Sequence, residues 1–131
     1  MAIPTLGSIH HIAIICSDYQ ASKDFYLNVL GGKLKAETNR EERQSYKLDI
    51  SFEGFEIELF SFPDPPVRAS QPEAQGLRHL AFRVADLNAA INYLDSMRVS
   101  VEPIRVDELT GNRFTFFKDP DGLPLELVEC E

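Results

Sequence analysis

The stretch His11-Ile12-Ala13-Ile14-Ile15-Cys16-Ser17-Asp18 returns 68 positions later as His79-Leu80-Ala81-Phe82-Arg83-Val84-Ala85-Asp86. Each copy is a short apolar run entered by a histidine and left by an aspartate. The same offset carries Ile57 onto Leu125, Glu58 onto Glu126 and Leu59 onto Leu127, so the His-to-Glu separation is 47 residues in both halves. A chance pair of similar strands does not keep such a separation, and the chain reads as a tandem duplication of one supersecondary unit. Whatever the first half builds, the second builds again, with one His and one Glu recurring at equivalent places.

The local patterns say what that unit is. The β-branched run over 9–16 is too short for a helix and predicts a buried strand. Ser17 and Asp18 then offer a side-chain oxygen to the first turn of a helix, whose stripe is Tyr19, Ser22, Phe25, Tyr26, Val29 and Leu30 and whose stop is Gly31-Gly32. Alternation over 33–39, 45–52 and 55–62 predicts three strands, the last two joined by the turn Glu53-Gly54. A connector with four prolines follows over 63–76, too rich in proline for a further element. The second half repeats the order, with strands over 79–84, 99–106, 113–118 and 123–129 and a helix entered at Asp86 with Leu87, Ala90, Ile91 and Leu94 on its stripe. The expected architecture is α+β: one domain over 1–131, made of a βαβββ module over 8–62, the connector 63–76, and a second βαβββ module over 77–131.

Side chains alternate across a sheet, so parity separates a packing face from a working face. Ile12, Ile14, Ile57, Leu59, Leu80, Phe82, Leu125 and Leu127 share the first. His11, Glu58, His79 and Glu126 share the second, with Ala13, Ile15, Ala81, Arg83, Glu56, Phe60 and Val128. A curled sheet would make that second face a concave cavity with ionisable groups at its centre and apolar walls. Two imidazoles with two carboxylates suit one divalent transition metal, Zn, Ni, Co, Fe or Mn. An octahedral shell with four protein ligands leaves two adjacent positions for substrate oxygens, where a Lewis acid stabilises an enediolate while a carboxylate moves the proton. His10, next to His11, has packing-face parity and no counterpart in the second half.

Charge and cysteine content narrow the partners. A formal charge of −8 disfavours nucleic acid and anionic membrane surfaces, both of which demand dense Lys and Arg patches. Two isolated cysteines, Cys16 and Cys130, make no disulfide framework and point to a reducing compartment. The longest apolar run is far shorter than a bilayer span and no signal-peptide pattern is present, so the expected location is the cytoplasm.

With these residues in place the chain is recognisable. HHIAIICSDYQASKDFY, FEIELF, GLRHLAFRVADL and DPDGLPLELVE resemble the vicinal oxygen chelate superfamily, which includes glyoxalase I, methylmalonyl-CoA epimerase, fosfomycin-resistance thiol transferases, bleomycin-binding proteins and extradiol dioxygenases. The likeness covers essentially the whole chain and looks closest to small bacterial glyoxalase-like proteins. It implies paired βαβββ modules forming an open barrel, His11, Glu58, His79 and Glu126 as metal ligands, Glu126 as catalytic base with Glu58 the other candidate, and a homodimer. The implied activity is a glyoxalase I-type lyase or isomerase acting on a small molecule with vicinal oxygens. The alternatives are a metal-dependent epimerase, for which Glu56 offers a further base, and a non-catalytic small-molecule binder; a dioxygenase fits less well, since it uses one carboxylate rather than two. Glyoxalase I relatives carry an Arg four residues after the first His, where this chain has Ile15; the second copy has Arg83. Arg83, and Arg113 with Lys47 at what the sequence suggests are matching positions, are the expected substrate-binding cations.

Overall fold

The computed structural model describes residues 2–69 and 73–130, so part of the connector, 70–72, lies outside the described residues. The chain divides into two compact units, 1–65 and 66–131, and each carries a βαβββ arrangement. In the first, β1 (His11–Cys16) leads into α1 (Tyr19–Asp24), followed by β2 (Lys33–Arg40), β3 (Ser45–Phe52) and β4 (Phe55–Ser61). The sheet order is β1-β4-β3-β2, with β1 parallel to β4 and the rest antiparallel. In the second, β5 (Leu80–Val84), α2 (Leu87–Ser96), β6 (Arg105–Val106), β7 (Arg113–Lys118) and β8 (Pro124–Glu129) give the order β5-β8-β7-β6 with the same polarities. The α+β class and the duplicated module are as the sequence predicts.

The two helices start by the same device. Asp18 accepts a hydrogen bond from the Ala21 N–H at 3.1 Å, and Asp86 accepts one from the Ala89 N–H at 3.0 Å. Each satisfies a donor that the first helical turn leaves without an intrahelical acceptor. Gly54 and Gly122, again one offset apart, take the left-handed conformation at φ 83° and 88° that their hairpin turns require. Packing follows parity. Leu48, Ile50, Ile57 and Leu59 are fully buried in the first unit, as are Leu87 and Leu125 in the second, with Leu127 nearly so. His11, Ala13 and Ile15, on the opposite face of β1, are exposed.

Three elements differ from expectation. The first helix does not run evenly to Leu30: after Asp24 it widens into a π-helical turn, Phe25–Val29, closed by the Leu30 N–H donating to the Phe25 carbonyl at 2.9 Å. That widening buries Phe25, Tyr26 and Val29 together. Residues 41–43 form a 3₁₀ turn between β2 and β3. The strand expected over 99–106 shrinks to Arg105–Val106. Pro103 has no N–H to give a ladder, and the preceding stretch is tied to β7 by single contacts: the Glu102 N–H on the Phe116 carbonyl at 2.9 Å and the Thr115 hydroxyl on the Glu102 carbonyl at 2.6 Å. Among the described residues, no helix is long and apolar enough to cross a membrane.

Candidate metal and substrate site

Within each unit the parallel pairing of the first and last strands fixes one His against one Glu. In unit 1 Ala13 lies opposite Glu58 across β1 and β4, so His11, two residues before, shares the face of that carboxylate. His11 Nε2 lies 3.5 Å from Glu58 Oε1. In unit 2 Ala81 lies opposite Glu126, and His79, just ahead of β5, brings Nε2 to 3.1 Å from Glu126 Oε1. Both glutamate side chains are 16% exposed, against 38% for His11 and 30% for His79. Each carboxylate is therefore largely withdrawn from water, beside an imidazole that solvent and solutes reach.

These separations fit the donor chemistry of a metal centre. Two ligands at right angles, each on a bond of about 2.1 Å, stand about 3.0 Å apart, close to what each His–Glu pair presents. Neither thiol lies at a pair: Cys16 is buried with Sγ 3.3 Å from the Phe60 carbonyl, and Cys130 Sγ lies 3.4 Å from Arg83. The donors are thus nitrogen and oxygen, a set that favours divalent first-row metals. Within each unit, the described residues gather one such pair and no group of three or more His, Cys, Asp or Glu side chains placed to hold a metal ion.

The surroundings of the two pairs differ. Asp49 opposes Glu58 across β3 and β4, and Lys47 reaches to 3.4 Å from Asp49 Oδ1 and 3.7 Å from Glu58 Oε2. Phe116 opposes Glu126 across β7 and β8 and sets its ring edge-on to His79, centroids 5.1 Å apart. One pair is ringed by charge, the other by an aromatic wall. The Nδ1 atom of His11 lies 2.8 Å from that of His10, leaving Nε2 directed at Glu58. Glu56 is committed elsewhere: Lys35 approaches its Oε2 at 2.6 Å and holds its carboxyl below the usual carboxylate range.

The register also relocates one expected cation. Since Asp49 and Phe116 occupy equivalent places, the counterpart of Lys47 is Phe114, and Arg113 falls on the opposite, helix-packed face. There its Nε and Nη2 each lie 2.9 Å from one oxygen of Glu129, which also accepts the Leu87 N–H at 2.8 Å at the start of α2. The guanidinium first, and that N–H second, hold the Glu129 carboxyl down at about 2. Arg113 and Lys47 are thus not at matching positions, and Arg113 is a structural partner of Glu129. Arg83 keeps the parity of Glu126, opposite Val128.

The working face of the second sheet forms part of a cavity of about 360 Å³, with His79, Phe116, Lys118 and Pro124 on its walls and further residues from the connector and from the stretch before β7. Sequence reading missed these further residues. Lys118 was within reach of it, because it alternates in step with Phe116 along β7. The connector residues carry no periodicity that could have flagged them.

The model of the Glyoxalase/Bleomycin resistance protein/Dioxygenase superfamily matches residues 8–127. The chain is 63% identical over 125 residues to the protein YwkD of Bacillus subtilis (strain 168), covering 95% of this chain and 98% of that protein. It is 58% identical over 125 residues to YaeR of Escherichia coli (strain K12), covering 95% and 97%. The crystal structure of the glyoxalase family protein from Enterococcus faecalis superposes with a TM-score of 0.86 at 48% identity, covering 92% of this chain and 95% of that one.

Proposed function

The chain belongs to the Glyoxalase/Bleomycin resistance protein/Dioxygenase superfamily, and within it we propose a divalent-metal-dependent lyase or isomerase of the glyoxalase I type, acting on a small molecule with vicinal oxygens. His11, Glu58, His79 and Glu126 are the proposed protein ligands of one divalent transition metal, and the active form is a homodimer. The observation that carries this is the repeated pair: one imidazole nitrogen and one carboxylate oxygen at 3.5 Å in the first unit and 3.1 Å in the second, at equivalent strand positions. When bound, the metal would supply Lewis-acid stabilisation of negative charge developing on adjacent substrate oxygens.

The protein's own contribution is proton movement and positioning. Glu126 is the proposed base. Its carboxylate is fixed on a strand paired on both sides, opposite Phe116 and beside His79, a placement suited to moving a proton between neighbouring substrate carbons. Glu58 is the second candidate, with Lys47 3.7 Å from its Oε2. Arg83, on the same face as Glu126, and Lys47 are the proposed substrate-facing cations. Relatives carry activity names in the same range: Glyoxylase I 4 of Arabidopsis thaliana and the 2-epi-5-epi-valiolone epimerase of Actinomyces sp, both 28% identical.

The test is to load the purified protein with Ni, Co, Zn or Mn, measure metal per chain, and follow thioester formation from methylglyoxal with several thiols. Stoichiometric metal, lost in Glu126→Gln and Glu58→Gln, with turnover by at least one metal form, is the expected result. Absence of turnover with every metal and thiol removes the lyase assignment. An epimerase is the second reading, favoured by the two carboxylates and by the epimerase names among the relatives. Deuterium uptake by substrate from heavy water without net conversion identifies it. Absence of both metal and exchange leaves a non-catalytic binding protein.

A further inference from the structure

We infer that the cavity of the second unit is an oxyanion subsite, and that the substrate therefore carries a carboxylate, phosphate or phosphonate group held beside His79. The inference deepens the metal-enzyme proposal by naming a substrate class, and it rests on that proposal only for the word substrate; the anion site itself stands on the cavity.

Four cations line this space of about 360 Å³: Arg68 from the connector, Arg78 just ahead of β5, Arg105 from β6 and Lys118 from the end of β7. Against them stand Glu102 inside the lining and Glu73, which lies 3.6 Å from Arg78 on two largely exposed side chains. Among the described lining residues the cations outnumber the carboxylates, on a chain whose formal charge is −8. A locally inverted field in a recess raises the local concentration of small anions while the rest of the surface repels them.

The geometry is selective as well as charged. Arg105 lies over the rings of Phe114 and Phe116, 5.2 and 5.3 Å from their centroids, with one Nη atom 3.2 Å from Glu102. Stacking fixes the plane of the guanidinium and leaves its other N–H donors for a ligand. Lys118 has no ion-pair partner among the described residues and presents a mobile point charge from the same face of the strand as Phe116. A planar fork beside a flexible ammonium is a common way to hold an oxyanion. The volume suits a small metabolite, and His79 forms part of the wall. An anion seated on Arg105 and Lys118 would direct the rest of its molecule toward the His79–Glu126 pair.

The experiment titrates chelator-treated, full-length protein with inorganic phosphate and, separately, with acetate at constant ionic strength, following backbone amide shifts by NMR. Expected is saturable binding confined to the amides around Arg78, Arg105 and Lys118. It should weaken about tenfold in each of Lys118→Gln and Arg105→Gln and stay unchanged in Arg43→Gln, which replaces a cation of the first unit. Preference for phosphate assigns a phosphate or phosphonate substrate, and preference for acetate a carboxylate one. Shifts that never saturate, that spread over the surface, or that persist unchanged in Lys118→Gln overturn the inference. Far-UV circular dichroism confirms that the variants remain folded, and both replace side chains outside the apolar core. Because no metal is present, anion binding with failed metal uptake sinks the enzyme proposal alone, and metal uptake without anion binding sinks this one alone.

Discussion

Leu125 and Glu126 are neighbours on β8 that point to opposite faces, and replacing each in turn tests the face assignment on which the site depends. Leu125 is fully buried and pairs across the sheet with Leu80 and Phe117. Leu125→Ala removes about three carbons of apolar side chain, about 2.4 kcal/mol at about 0.8 kcal/mol per methylene. The void left in a packed layer adds to this, for a total of about 3–4 kcal/mol. For a chain of this length that lowers Tm by about 10–15 °C. Glu126→Gln keeps the shape and removes only a charge from a working-face position, so stability should change by less than about 1 kcal/mol. Urea titration of chelator-treated protein, followed by far-UV circular dichroism, measures both through their midpoints at a common slope. A loss below about 1 kcal/mol for Leu125→Ala, with a larger one for Glu126→Gln, would mean that the faces are inverted, and the metal proposal would fall with them.

Two further outcomes follow from the packing and the charges. Gly32→Ala should destabilise the first unit by about 1–3 kcal/mol, because the new Cβ would run into Ile50 Cγ2 and stand 2.7 Å from Phe52 Cζ; thermal unfolding measures this. Glu129, held at about 2 against an ordinary 4.5 by Arg113 and the Leu87 N–H, contributes stability that is complete above about pH 5 and lost as pH falls through its unfolded and then its folded value. Acid titration of Glu129→Gln should therefore show a shallower loss of stability between about pH 5 and pH 2 than the parent chain, and identical slopes would refute the linkage.

What the sequence made legible was whatever repeats locally. The period-two patterns around Ile14, Ile57 and Leu125, and the two capping aspartates, act through near neighbours, and the structure keeps them. Register was not legible in the same way. Matching Lys47 to Arg113 misjudges the offset of the third strand by one residue, and a one-residue slip turns every side chain to the other face. The cause lies in the hairpins: Phe52 pairs with Phe55 across a tight turn, whereas Lys118 pairs with Pro124 around a longer one. The π-helical turn at Phe25–Val29 and the shortened β6 escaped for a related reason. Helical spacing and β-branched content are shared by several backbone forms, and tertiary packing or a single missing N–H decides among them.

The order of strands within each sheet has a consequence for how such a site can change over evolutionary time. β4 and β8 have a neighbour on either side, while β1 and β5 lie at one margin of their own sheets. Each carboxylate proposed as a proton carrier is thus held on a strand with two partners, and each imidazole on or beside a strand with one partner in its own sheet. New specificities can therefore arise by drifting the margin strands and the loops feeding them, while the proposed acid–base pair of carboxylates stays in place.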